Sequence, residues 1–439
     1  MTAKNQVPFA HRRARFIEQM GSDAVAIIAT RAEMYRNRDA DYKFRADSSF
    51  YYLTGFAEPE AVAVLSSNSD QPYTLFCRER NREMEIWHGL RAGVEGAVSD
   101  YSADQAFTID QLDEQIIQLL SGKKRLYVRL GHSDEFDLRV TGWLKKIAAN
   151  QRQGGQPPVE IIQLDSVLDE MRLFKDDHEI NLMRKAAQIS AQAHIRAMQT
   201  AQPDMMEYEL EAEVLYVMQK NGCQTAYNSI VGGGANGCIL HYVENNQPLT
   251  DGDLVLIDAG AELDHYAADI TRTFPVNGTF SPEQKALYEL VLNAQLAAIE
   301  ATKPGNHYRV PHETAIKILT AGLVELGLLQ GDVEELIQQE KYRQFYMHGT
   351  GHWLGMDVHD VGSYKLDNEW RPYEAGMVVT VEPGLYISPD DDTVDVRWRG
   401  IGIRIEDDVL VTKSGNEVLT KDVPKTVSDI EALMQQVRA

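Results

Sequence analysis

Five side chains in the C-terminal half of the sequence carry the strongest chemical signal: Asp258, Asp269, His352, Glu382 and Glu406. Four carboxylates and one imidazole suit a pair of hard, oxygen-preferring divalent cations, and they do not suit zinc in a thiolate cage. Two metal ions held by carboxylates support hydrolysis, so a dinuclear hydrolase is the leading reading.

Each residue has a local context. Leu254–Ile257 is an apolar run that ends in Asp258, turns at Gly260 and returns through Tyr266–Phe274, carrying Asp269. An acid at the end of an apolar strand is costly unless a metal, an arginine or backbone amides compensate it. Two such acids on adjoining strands favour a metal. His348, His352 and His359 fall in a glycine-rich stretch whose tight turns a helix would not accommodate, and no helical HExxH pattern is present. Glu382 closes a β-branched run just before Pro383-Gly384. Arg404 and Glu406 lie two apart on an expected strand, hence on one face. They form either a simple ion pair or a pair in which Arg404 holds a ligand carboxylate in place. Taken alone, His241 reads as structural.

The elements that position these residues are mixed. Up to about residue 170, helical and strand patterns alternate: a helix over Arg12–Met20, strands at Ala24–Ala29, Ala61–Leu65, Tyr73–Cys77 and Leu126–Arg129, and a helix over Thr141–Ala149. Turn formers cluster at Asn150–Pro158. Asp176 with Glu179 then predicts a capped helix whose apolar face runs through Leu182, Ala186, Ile189 and Ala193. Ser281-Pro282-Glu283-Gln284 predicts a second capped helix reaching about Ala301, and a third covers Glu313–Leu326. The five ligand candidates fall outside all of these helices.

A chain of 439 residues exceeds one ordinary core, so two domains are expected, divided near Lys175. The formal net charge of -23 disfavours nucleic-acid and anionic-membrane partners. Three scattered cysteines argue for a reducing compartment. No secretory h-region is visible, and no segment approaches the roughly 20 apolar residues that span a bilayer. A cytoplasmic protein is the expectation.

The segments NGCILHYVEN, DGDLVLIDAG, DITRTFPVNG, MHGTGHWLGMDVHDVG, VEPGLY and RGIGIRIEDD resemble the pita-bread metallopeptidases, above all their bacterial aminopeptidase P branch. FRADSSFYYLTGFAEPEAV, EIWHGLR and EMRLFK extend the resemblance into the N-terminal half. It implies an α+β fold: a smaller N-terminal α/β, creatinase-like domain over 1–174 for oligomerisation and substrate access, and a pita-bread catalytic domain over 175–439. Creatinase shares the two-domain layout but not the five ligands.

The activity implied is removal of an N-terminal residue that precedes proline. A hydroxide bridging two manganese ions would attack, with Glu382 taking the water's proton. The resemblance makes Asp258, Asp269, His352, Glu382 and Glu406 the ligands and includes Arg404 in the catalytic set. His241 and His359 would stabilise the oxyanion, and His348 and Tyr386 would shape the proline pocket. Trp87 and Arg152 would also line the site, Trp87 reaching it from a neighbouring subunit of a homotetramer. A prolidase restricted to Xaa-Pro dipeptides is the enzymatic alternative. A non-catalytic binding protein of the same fold is the alternative from another class. One departure is the acidic loop at 388–395, expected near the site.

Overall fold

A computed structural model describes residues 7–438. The chain separates into two compact units, one ending at Asp169 and the other beginning at Glu170. The turn formers at Asn150–Pro158 do not end the first unit. They lead into a strand, Glu160–Gln163, which pairs in parallel with Arg125–Val128.

The N-terminal unit is built on a six-stranded sheet. Its strands lie in the order Gln105–Thr108, Tyr73–Cys77, Val62–Ser66, Ala24–Ala29, Arg125–Val128, Glu160–Gln163. Only Val62–Ser66 runs antiparallel to its neighbours. Parallel neighbours need crossovers, and the helix Asp134–Ala149 supplies one between the last two strands. The central strands are buried along their length, which explains their continuous apolar runs. Val25, Ile27, Val64 and Phe76 pack against Leu112, Ile116, Trp143 and Ile147.

In the C-terminal unit, small antiparallel sheets carry the chemistry and long helices support them. Leu254–Asp258 lies between Ile230–Gly233 and Thr271–Pro275. Asp407–Val411 lies between Val378–Val381 and Asn416–Val418, and Gly384–Tyr386 pairs with Gly402–Arg404. Main-chain and threonine hydrogen bonds join these pieces. Glu406 N–H donates to the Thr271 carbonyl at 3.1 Å, and the Thr273 hydroxyl donates to the Arg404 carbonyl at 3.0 Å. Beneath the join, Arg272 and Asp407 form a fully buried ion pair at 2.7 Å, and Gln295 and Lys425 also donate to Asp407. The Asp407 carboxyl is therefore held well below its usual range: burial opposes this, but the charges of Arg272 and Lys425 outweigh it.

The expected helices form, with the expected capping boxes at Asp176–Glu179 and Ser281–Gln284. The buried face of Asp177–Thr200 differs from the apolar pattern. Leu182 and Ile189 are half-buried, while Met183, Ser190 and His194 are buried. The two polar residues brace the ligand hairpin: Ser190 Oγ accepts from Ala261 N–H at 2.9 Å, and His194 Nε2 donates to the Ala259 carbonyl at 3.0 Å. Among the described residues, no helix is long and apolar enough to cross a membrane.

Candidate metal centre

The expected hairpin between Asp258 and Asp269 is real but interrupted. Leu254–Asp258 pairs with Thr271–Pro275 in the register Asp258↔Thr271, and a smaller hairpin, Ala261–Leu263 with Tyr266–Ala267, fills the turn. Asp269 lies just before the returning strand. The crossing is tight because residue 260 is glycine: a Cβ there would sit 1.7 Å from the Ala268 carbonyl oxygen. The two acids converge on Tyr227, whose hydroxyl lies 2.5 Å from Asp258 Oδ1 and 2.6 Å from Asp269 Oδ1. Arg404 Nη2 donates to Asp258 Oδ2 at 2.6 Å. Its ion pair is thus with Asp258, and not the pair with Glu406 that their spacing allowed.

His352 and Glu382 arrive on a second pair of segments. The loop carrying His352 lies against the strand Val378–Val381, so close that a Cβ on Gly351 would be 1.9 Å from the Thr380 carbonyl oxygen. Thr380 joins His352 and Glu382. Its N–H donates to the His352 carbonyl at 3.0 Å, and its hydroxyl accepts from His352 N–H at 3.1 Å and faces Glu382 Oε1 at 3.4 Å. Glu382 N–H donates to the Thr350 carbonyl at 2.8 Å. The His352 Nδ1–H donates to the Trp353 carbonyl at 3.0 Å, which turns Nε2 toward Asp269 Oδ2 at 3.4 Å and Glu382 Oε1 at 3.7 Å. Glu406 is buried and accepts from the Thr271 hydroxyl at 2.6 Å.

Single donor atoms of Asp269, His352 and Glu406 all lie within 4.8 Å of one another. All five expected ligands line one cavity of about 640 Å³, together with His241, His348, His359 and Arg404. Burial and the crowding of like charge shift the groups of this cavity in different directions. Burial and then repulsion from Asp269, Glu382 and Asp258 push the Glu406 carboxyl well up. Burial lifts Glu382 to about 7 against the pull of His352 and Arg404, and Asp258 also rises through burial. Asp269 is held low despite burial because His352 and Tyr227 hydrogen-bond to it. Burial alone would lower His352, but Asp269 and Glu382 raise it to about 9. Converging buried carboxylates beside an imidazole whose Nε2 faces them are a donor set that fits hard divalent cations.

The remaining expected residues separate into three groups. His348 is held in one orientation: Nδ1–H donates to the Gly349 carbonyl at 2.7 Å, and Nε2 accepts from the Tyr386 hydroxyl at 2.8 Å. Tyr386 in turn accepts from Arg404 Nη1 at 3.1 Å. Burial, reinforced by the Arg404 charge, lowers His348 to about 3, so the ring is neutral. Tyr386 is itself buried and is not among the cavity-lining residues, so its hydroxyl backs His348. His359 and His241 are both exposed, and the His359 ring meets His352 edge to face at 4.3 Å between centroids.

Trp87, on the helix Arg82–His88, and Arg152, on the turn Gln151–Gln153, belong to the N-terminal unit, where both are exposed. The loop at 388–395 is largely exposed, and Asp391 is satisfied locally by Thr393 and Gln344. Tyr227, Thr271, Thr350 and Thr380 were not anticipated. Single hydroxyl residues near strand ends leave no pattern in a sequence.

The chain is similar to known proteins along its whole length. The model of metallopeptidase family M24 matches residues 181–413, and that of the aminopeptidase P N-terminal domain matches 9–127. The Xaa-Pro aminopeptidase of Haemophilus influenzae is 47% identical over 428 residues, covering 97% of this chain and 96% of that protein. The Xaa-Pro aminopeptidase of Escherichia coli is 45% identical over 441 residues, covering 100% of both. The solved structure of Pseudomonas aeruginosa aminopeptidase PepP superposes with a TM-score of 0.98 at 53% identity, covering 100% of both chains. That of zinc-substituted E. coli aminopeptidase P in complex with product gives 0.97 at 44%, again covering 100% of both.

Proposed function

The chain belongs to metallopeptidase family M24 and is an Xaa-Pro aminopeptidase, and from that premise we propose how its own residues perform the reaction. Asp258, Asp269, His352, Glu382 and Glu406 would hold two divalent ions, manganese by the oxygen-rich character of the set. When bound, such a pair supplies Lewis acidity and lowers the pKa of water toward neutrality.

Glu382 receives the proton of the attacking water and returns it to the departing proline nitrogen. Its carboxyl lines the cavity and faces His352 across 3.7 Å, within reach of a water held there. As the water oxygen bonds to the carbonyl carbon, charge develops on the carbonyl oxygen. His359 and His241, exposed at the cavity wall, donate to that oxygen. The C–N bond then breaks and the protonated nitrogen leaves. Asp258, at the end of its strand, receives the substrate's terminal ammonium, which limits cleavage to the first residue.

Proline has no N–H and a fixed φ, so strand-like substrate pairing loses a donor and the ring must be recognised by shape. The neutral, immobilised His348, backed by Tyr386 and Arg404, offers a rigid wall for this. By the resemblance, Trp87 and Arg152 of the N-terminal domain would also line the site, Trp87 reaching that of a neighbouring subunit. That domain also mediates assembly into a homotetramer, and the enzyme works in the cytoplasm.

The observation that carries the reading is the convergence of all five ligands on one cavity beside three histidines. Assays of Ala-Pro and Ala-Pro-Ala with manganese test it. Cleavage of the tripeptide is expected, and cleavage of the dipeptide alone would make the enzyme a prolidase.

A further inference from the structure

His359 is exposed, so its place in the cavity is set by the backbone that carries it. That backbone is a closed turn. Asp360 N–H donates to the Trp353 carbonyl at 2.9 Å, and Gly355 N–H donates to the Asp357 carbonyl at 3.1 Å. The two acids flanking His359 are gripped from one side. A single nitrogen, Arg172 Nη2, donates to Asp357 Oδ2 at 2.7 Å and to Asp360 Oδ1 at 2.6 Å. Lys175 Nζ donates to the other Asp360 oxygen at 3.0 Å.

The side chains of Arg172, Lys175 and Asp360 are each no more than 2% exposed. Buried ion pairs are poor sources of stability, since apolar groups of similar volume often serve as well. Here the pairing fixes geometry: the two Asp360 oxygens meet different donors, and one Arg172 nitrogen joins Asp360 to Asp357. Residue 355 leaves no slack: a Cβ there would lie 2.1 Å from Asp360 Oδ2.

The geometry points to Arg172, Lys175 and Asp360 as positioning residues that hold His359 in register with the scissile carbonyl. None of them lines the cavity, and they act through the turn they clamp. This rests on the reading that His359 acts at the carbonyl oxygen.

The test is a double-mutant cycle on the metal-loaded enzyme with Ala-Pro-Ala as substrate. Asp360→Asn keeps the volume and removes the charge, and thermal melting checks that the variant is folded. Its kcat is expected to fall roughly ten- to a hundredfold, the scale of a misplaced catalytic group, with KM little changed. On a His359→Ala background the same substitution should cause no further loss. Losses that multiply in the double variant would mean that Asp360 acts independently of His359 and would overturn the proposal. If Asp360→Asn does not fold, Arg172→Lys carries the same cycle, because it keeps the charge and loses the reach to both acids. A His359→Ala enzyme with unchanged kcat would instead overturn the role of His359 itself.

Discussion

The two glycines of His348-Gly349-Thr350-Gly351-His352 have opposite predicted tolerances. A Cβ on Gly351 would lie 1.9 Å from the Thr380 carbonyl oxygen, whereas one on Gly349 would meet nothing nearer than the Gly351 oxygen at 3.9 Å. Neither glycine has a positive φ, so backbone strain does not enter. Relieving the clash at 351 to an ordinary contact of about 3.4 Å requires a shift of about 1.5 Å. The shift must pass into the loop, because Thr380 is fixed within its strand by pairing Thr380↔Asp408. His352 is the next residue, and both its bonds to Thr380 would be lost or stretched. Overpacking of this kind costs about 1–3 kcal/mol of stability. A displacement of about 1 Å in a catalytic group costs on the order of a hundredfold in rate. Gly351→Ala should therefore lower kcat/KM on Ala-Pro-Ala by about two orders of magnitude and weaken metal binding. Gly349→Ala should stay within about twofold, as substitutions away from packed contacts do. Steady-state kinetics with thermal melting decide the matter. Wild-type activity in Gly351→Ala would refute the claim that this close approach positions His352.

Two further outcomes follow from the same geometry. Tyr227→Phe removes the hydroxyl shared by Asp258 and Asp269, and metal affinity measured calorimetrically should fall about ten- to a hundredfold, as for other partners of metal ligands; unchanged affinity would show that the phenol does not organise the acids. The metal-free protein should lose stability as pH rises above about 6.5. Glu382 is raised to about 7 and His352 to about 9, so from roughly pH 6.5 to 9 the native state holds protons that the unfolded chain has released, while the lowered His194, His312 and His348 act only below that range. Divalent metal takes the place of those protons, so its gain in Tm should be larger at pH 8 than at pH 5.5. An equal gain at both would contradict the protonated cluster.

The five side chains that share the cavity were legible because each occupies a recognisable local context: an acid ending an apolar strand, a histidine between glycines, a glutamate before Pro-Gly. Caps were legible for the same reason, since capping is decided within four residues. What escaped detection depends on contacts distant in sequence. Tyr227 meets two acids, the nearer of them 31 residues away. Ser190 and His194 break the apolar face of their helix because their partners are backbone groups of the ligand hairpin. Arg404 pairs with Asp258, 146 positions away, although Glu406 is two residues off. The strand Glu160–Gln163 was hidden because three of its four residues are polar or exposed at a sheet edge, which leaves no apolar run.

The central claim is that five side chains of this chain hold two metal ions and that hydrolysis before proline depends on both. Metal-free protein titrated with Mn²⁺, with bound metal and Ala-Pro-Ala cleavage followed on the same samples, tests it directly. The account predicts two ions per chain at saturation and cleavage that appears only as they bind. Full cleavage without metal, or saturation at a single ion with full activity, would contradict it.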